Sequence, residues 1–153
     1  MRLAIVAASA LLVASSIHAQ TAAPAPDLST AAPIEGSWVY STTASTEASF
    51  VNGSGQRQIT VRCSVSTRRV TIAKPASGAA PFLNVWTTAQ SRNLPASFNP
   101  STGLLSADLS AWDPLLDAIA FSRGRVGIGV SGQPALVLPS WAEVARVIED
   151  CRV

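Results

Sequence analysis

Histidine, lysine and cysteine are scarce in this 153-residue chain. The scarcity of histidine excludes the largest number of catalytic and metal-binding mechanisms. The single histidine, His18, lies in an N-terminal segment that we predict to be removed. A mature chain without histidine cannot carry a Ser-His-Asp triad, a Cys-His pair or an imidazole metal site. We therefore predict no catalytic triad, no metal and no cofactor.

The N-terminal segment is typical of a secretory signal peptide. Arg2 gives it a charged start, an apolar run follows from Leu3, and small residues lead up to Ala19. The apolar run is shorter than the ~20 residues that cross a bilayer. We predict a signal peptide over residues 1–19, a periplasmic or secreted mature protein, and no membrane insertion after cleavage.

Neither sign of charge is in excess. Eleven lysines and arginines stand against nine acidic residues, and removal of Arg2 leaves ten against nine. A net charge near +1 favours neither nucleic acid nor an anionic membrane as a partner. An envelope protein or polymer remains the predicted kind of partner.

Proline and alanine dominate residues 20–33 (QTAAPAPDLSTAAP), which contain no aromatic residue. This composition predicts a flexible or polyproline-like leader. Residues 34–153 then form a unit long enough for one core and too short for two ordinary domains. We predict a single β-rich domain there.

Only two cysteines are present, Cys63 and Cys151. An even count in an exported chain predicts one disulfide. A metal pair or a redox pair is the alternative, but the spacing lacks the CxxC arrangement and no histidine is available to assist. We predict a structural disulfide between Cys63 and Cys151.

Short β-branched and aromatic runs, separated by turn residues, indicate antiparallel strands. The predicted strands cover residues 37–41, 47–51, 58–63, 68–74, 82–89, 94–98, 104–109, 126–130 and 135–138. Alternation in residues 58–63 places Cys63 on the buried face. Pro95 interrupts residues 94–98 and indicates an edge strand.

Two short helices complete the predicted fold. Asp113 followed by Pro114 is typical of a helix start, and Gly124 is the predicted end of that helix. Ser140 and Glu143 form a capping box for a second helix. Its apolar face contains Val144, Val147, Ile148 and Cys151. The predicted fold class is mainly β, an antiparallel sandwich-like domain whose C-terminal helix is joined to a strand by the disulfide.

One polar cluster is a candidate site. Arg123 and Arg125 flank a glycine at the predicted end of the first helix, where two guanidinium groups could hold an anion or contact a partner. The alternative is that they pair with Glu149 and Asp150 or face water. No residue is predicted to be catalytic.

Two other patterns have structural explanations. Residues 127–132 match GxGxxG, but a helix precedes them and a strand contains them, which is the reverse of a dinucleotide site. Glycines at alternate strand positions instead favour an aromatic ring packed across them. Asp113 and Asp117 are spaced as a carboxylate pair, yet their place at a helix start favours capping.

The C-terminal third carries a resemblance. Residues 113–151, with DPLLDAIAFSRGR, a hairpin ending in ALVLPSW and then AEVARVIEDC, resemble small exported Gram-negative proteins of unassigned function. They are also loosely similar to the invasion-associated locus B family. The resemblance implies a β-sandwich with accessory or virulence-linked roles and implies no catalytic residue.

These observations favour a non-enzymatic binding or accessory module of the cell envelope. One alternative is an inhibitor or protective factor for envelope enzymes, using residues 76–81 or 99–103 as a protruding loop. Another is a carboxylate-based hydrolase, which needs a cleft where two acids converge. A binding module should instead expose an aromatic or apolar patch, and the four tryptophans are candidates for it.

Overall fold

The computed structural model describes residues 24–140 and 142–153. Its strands are β1 (Gly36–Ser41), β2 (Glu47–Asn52), β3 (Arg57–Ser64), β4 (Arg69–Pro75), β5 (Phe82–Trp86), β6 (Ser91–Pro95), β7 (Ser97–Asn99), β8 (Leu104–Ser110), β9 (Arg125–Val130) and β10 (Leu136–Pro139). Its helices are α1 (Pro114–Ala120) and α2 (Ala142–Asp150). The predicted signal peptide and the start of the predicted leader lie outside the described residues.

The strands form two antiparallel sheets that share one core. Sheet A has the order β1-β2-β3-β4-β8-β7, and sheet B has the order β10-β9-β5-β6. Apolar side chains from both sheets and both helices belong to a single buried cluster. The predicted class, mainly β with two short helices, is confirmed.

Alternating side chains assign the faces of each sheet. In β3, Ile59, Val61 and Cys63 are buried in the core, as the sequence predicts, while Arg62 is exposed. In β5, Leu83 and Val85 belong to the core cluster. The outer face of sheet B is therefore formed by the alternate positions, including Asn84 and Trp86.

The predicted strand over residues 94–98 is wrong in one respect. It is two strands of different sheets: β6 is an edge of sheet B and β7 is an edge of sheet A. The chain crosses between the sheets at Ala96, whose N–H donates to the Pro81 carbonyl (3.0 Å). The predicted edge position is confirmed, and Pro95, which has no N–H to donate, lies at the end of β6.

Two elements end earlier than predicted. Strand β5 stops at Trp86 because the Thr87 hydroxyl closes a turn, donating to the Gln90 carbonyl (2.8 Å) and accepting from the Gln90 N–H (3.0 Å). Helix α1 begins as predicted, with the Leu115 N–H donating to Asp113 (2.9 Å), but it ends at Ala120 rather than at Gly124. Neither α1 nor α2 has the length and apolar character needed to cross a membrane.

The described part of the predicted leader contacts sheet B. Pro26 lies over Gly127, beside Trp86, and Ile34, the first residue of the predicted domain, donates its N–H to the Val137 carbonyl on edge strand β10 (2.8 Å). Arg125 reaches the Leu28 carbonyl. These contacts place Pro26, Leu28 and Ser29 against the outer side of sheet B, and Ile34 at its β10 edge.

Candidate functional site

The predicted disulfide is present and fixes one end of the molecule. Cys63 on β3 and Cys151, just after α2, are joined with Cα atoms 5.5 Å apart. The predicted apolar face of α2, with Val144, Val147 and Ile148, is buried beside it. The disulfide therefore holds the C-terminal helix against sheet A.

The predicted capping box of α2 is described only in part. Trp141 lies outside the described residues, between Ser140 and the start of the helix. The Ser140 hydroxyl donates to the Ser122 carbonyl (2.8 Å). This bond ties the start of α2 to the segment that follows α1.

Arg123 and Arg125 line the same depression but make different contacts. Arg125 Nη1 donates to the Leu28 carbonyl (2.9 Å) and to the Ser29 carbonyl (3.1 Å), so this guanidinium binds the leader of its own chain. Arg123 is exposed, and its N–H donates to Thr88 Oγ1 (3.2 Å). The structure brings the two arginines to one surface, where only Arg123 is exposed to an outside anion.

The suggested pairing of these arginines with Glu149 and Asp150 is wrong. Glu149 binds Arg152 (3.4 Å), and Asp150 accepts a hydrogen bond from the Tyr40 hydroxyl (2.5 Å). Arg152 also binds Asp117 (2.8 Å) and so joins α2 to α1. This bridge is structural.

The carboxylates of the hydrolase hypothesis are held by structural partners. Asp113 caps α1 and binds Arg92 (2.5 Å), while Asp117 binds Arg152, so the two point to different partners. Glu47 is shared by Arg57 (3.0 Å) and Arg62 (2.6 Å). Among the described residues, no group of three or more acids, cysteines or histidines is arranged to hold a metal ion.

The interior of the sandwich beside Trp38 is closely packed. A cavity of about 20 Å³ lies there between described residues of the two sheets, and it is lined mainly by apolar groups. That is about the room one water molecule needs. This cavity therefore has no room for a larger ligand.

The loops of the inhibitor hypothesis lie side by side at the end of the molecule opposite the disulfide. The Ala76 N–H donates to the Gly103 carbonyl (2.9 Å), which joins residues 76–81 to the turn over residues 99–103. The nearby Lys74 Nζ donates to Gln133 Oε1 (2.9 Å) and to the Pro75 carbonyl (3.2 Å). Burial lowers the pKa of Lys74.

The tryptophans divide between core and surface. Trp86 is buried and Trp38 is partly buried, with its indole N–H donating to the Pro139 carbonyl (3.0 Å). Trp112 has 58% of its surface exposed. Of the described tryptophans it is therefore the candidate for contact with a partner.

Trp112 belongs to a surface group that we call the Arg68 cluster: Val65, Arg68, Trp112 and Val153. The Arg68 guanidinium carbon lies 6.0 Å from the centre of a Trp112 ring, the geometry of a cation–π contact. The same guanidinium donates to the backbone oxygen of Val153. Val65 lies in the same turn, with its carbonyl accepting from the Arg68 N–H (3.4 Å), and is half exposed.

The backbone of Arg68, at the centre of this cluster, is conformationally constrained. Its φ is +51°, a left-handed conformation that is uncommon for a residue with a side chain. The Arg68 carbonyl accepts a hydrogen bond from the Ala111 N–H (2.9 Å), which fixes the turn against the residue before Trp112. Such conformations persist where surrounding contacts impose them, and they concentrate at functional sites.

The Arg68 cluster was not predictable as a site from the sequence. Arg68 is found at the start of a strand and Trp112 before a helix cap, far apart in the chain. The sequence offers each residue separately: Arg68 and Arg69 are adjacent bases at a strand start, a weaker candidate for anion binding, and Trp112 is one of four tryptophans that could form an exposed patch. Nothing in the sequence joins them. The chain matches no family model, no curated protein and no solved structure in the comparisons made.

Proposed function

We propose that this chain is a non-enzymatic periplasmic module that binds a protein of the cell envelope through the Arg68 cluster. The observation that carries the proposal is the exposed Trp112 with the Arg68 guanidinium on its ring. Tryptophan and arginine are the residues most enriched among those that dominate binding energy at protein interfaces. Val65 and Val153 add exposed apolar surface beside them.

Rigidity supports the same proposal. The cluster lies next to the disulfide, because Arg68 Nη1 also donates to the Cys151 carbonyl (3.3 Å). A surface held in place before binding loses less conformational entropy when a partner docks. The disulfide fits an oxidising compartment such as the periplasm, which is part of the proposal.

Site-directed photo-crosslinking tests the proposed surface. A photoreactive residue replaces Val65 in the exported chain, and the same residue replaces Val39 as a matched control, since the two valines are 50% and 52% exposed. Irradiation of intact envelopes should give a discrete protein adduct from position 65 and none from position 39. The adduct should disappear in the Trp112→Ala background, because the aromatic anchor is lost.

Three results would contradict the proposal. Equal labelling from both positions would indicate random encounters at exposed sites. An adduct that survives Trp112→Ala would place the anchor elsewhere. Adducts with a polysaccharide rather than a protein would assign the cluster to a polymer.

A further inference from the structure

Part of the outer face of sheet B is buried although it points away from the core, while Phe82 and the outward residues of edge strand β6 are exposed. Trp86 is 9% exposed, Asn84 is 1% exposed, and Val137 on edge strand β10 is also buried. Trp86 and Val137 both pair with Gly127 in the sheet register, which puts these positions side by side. The buried part of the face consists of an aromatic ring, a valine, glycine and polar donors.

Pro26, Leu28 and Ser29 of the same chain lie on this face. A Cβ atom on Gly127 would come within 2.9 Å of Pro26 Cγ and 3.1 Å of Trp86 Cε3, so the proline ring sits where only glycine leaves room. Arg125 donates to the carbonyls of Leu28 and Ser29. The contacts named here use a proline ring and backbone groups, and no charged side chain of the leader.

The leader does not satisfy every donor on this face. Asn84 Nδ2 and Arg125 Nε are both buried and have no hydrogen-bond partner among the described residues. A buried donor without an acceptor is costly, so a ligand that supplies carbonyl oxygens to these atoms gains affinity over one that does not. The chain's own leader is in this sense an incomplete ligand.

We propose that Asn84, Trp86, Arg125, Gly127 and Val137 form a leader groove that binds a proline-containing segment of another polypeptide. The chain's own leader, through Pro26 and the turn that contains Leu28 and Ser29, occupies the groove until that segment displaces it. Proline fits because its ring lies over Gly127 beside Trp86, and backbone carbonyls fit because Arg125 donates to them. This surface is separate from the Arg68 cluster, and the inference does not depend on the function proposed above.

A peptide competition experiment tests the groove. The probe is a fluorescent peptide with the sequence of residues 24–34, titrated into the processed, oxidised chain and followed by anisotropy. Pro26→Gly removes the ring and adds backbone freedom, so it loosens the chain's own leader. The peptide should bind this variant about tenfold more tightly than it binds the wild-type chain. That ratio corresponds to a difference of about 1.4 kcal/mol in the free energy of binding.

A second substitution locates the binding. Gly127→Ala, added to Pro26→Gly, should abolish peptide binding because the new methyl group occupies the place of the proline ring. Gly53→Ala is the matched control, since nothing lies within 4 Å of a Cβ at that turn, and it should leave binding unchanged. If Gly127→Ala does not fold, Arg125→Gln takes its place, because it removes the bonds to the leader carbonyls.

Three outcomes would overturn the inference. The peptide could fail to bind the folded Pro26→Gly variant. Binding could survive both Gly127→Ala and Arg125→Gln. The wild-type chain could form dimers that exchange their leaders, which would assign the groove to a second copy of this chain.

Discussion

The outward-facing residues of the two sheets are stabilised in different ways. Sheet A covers its outer face with polar pairs between neighbouring strands. Glu47 bridges Arg57 and Arg62, and the Thr71 hydroxyl donates to Asp108 (2.5 Å). These groups satisfy one another and tolerate water, so no further layer is needed.

Sheet B places apolar groups on its outer face and covers them with another segment of the chain. Trp86 and Val137 are buried there, and Pro26 of the leader lies over Gly127 beside Trp86. Sheet A, in addition, is joined covalently to α2 through Cys63 and Cys151. The comparison shows that the residues at outward positions, and not the strand pairing, decide whether a sheet needs a cover.

Removal of the disulfide should have the largest effect, and it tests how far sheet A depends on its covalent tie. Cys63→Ala with Cys151→Ala should lower the free energy of unfolding by about 4 kcal/mol, because the unfolded chain is no longer constrained by a long loop. Urea denaturation measures the loss. Wild-type protein treated with reductant should show the same loss, and a change below about 1 kcal/mol would mean that packing alone holds α2.

Substitution of Trp86 should have the next largest effect. Trp86→Ala should cost about 3 kcal/mol, because it removes a buried ring from beneath the leader. Thr71→Ala, on the outer face of sheet A, should cost less than about 1 kcal/mol, since only a hydrogen bond near the surface is lost. Urea unfolding of both variants measures the difference, and equal costs would contradict the contrast between the faces.

Sequence patterns predict much of both sheets because the signals are local. Alternation of Ile59, Val61 and Cys63 predicts the buried face of β3, and the sequence Asp113-Pro114 predicts the start of α1. The disulfide follows from a count of two cysteines. The division of residues 94–98 between two sheets is not predictable, because one proline marks an edge without saying of which sheet.

The two candidate surfaces depend on contacts between distant residues. Composition predicts a flexible or polyproline-like leader, but it does not indicate that Pro26 lies over Gly127 beside Trp86. Similarly, no local pattern joins Arg68 to Trp112. Arg125 was a candidate from the sequence, but the structure was needed to show that its contacts are the leader carbonyls.

Lys74 is the exception on sheet A, because it is a charged residue buried near the edge of the core. Lys74→Met should change stability at neutral pH by no more than about 1 kcal/mol, since a buried charge without a carboxylate contributes little net stability. Burial lowers the pKa of Lys74 below 10.5 in the folded protein. At a pH between the folded-state pKa of Lys74 and 10.5, the unfolded chain holds more protons than the folded chain. The free energy of unfolding of the wild-type protein should therefore rise with pH in that range.

The Lys74→Met variant should lack this rise. Urea unfolding of both proteins at neutral pH and near pH 10 gives the comparison. Parallel pH profiles would show that Lys74 does not titrate differently in the folded and unfolded chains.

Glu47→Gln should have the smallest effect and tests whether the polar cover of sheet A stabilises the fold. Partial burial raises the pKa of Glu47, but hydrogen bonds from Arg62 and Ser49 and the charges of Arg62 and Arg57 together bring it below 4.5. The stabilisation is therefore present above pH 4.5 and is lost as pH falls through the folded-state pKa. Because both arginines are largely exposed, the loss at neutral pH should be below about 1 kcal/mol and should shrink with added salt. Urea midpoints for wild type and Glu47→Gln should differ at pH 7 and converge near pH 3. A difference that persists in acid would mean that Glu47 acts through packing, and the polar cover of sheet A would then resemble the apolar cover of sheet B.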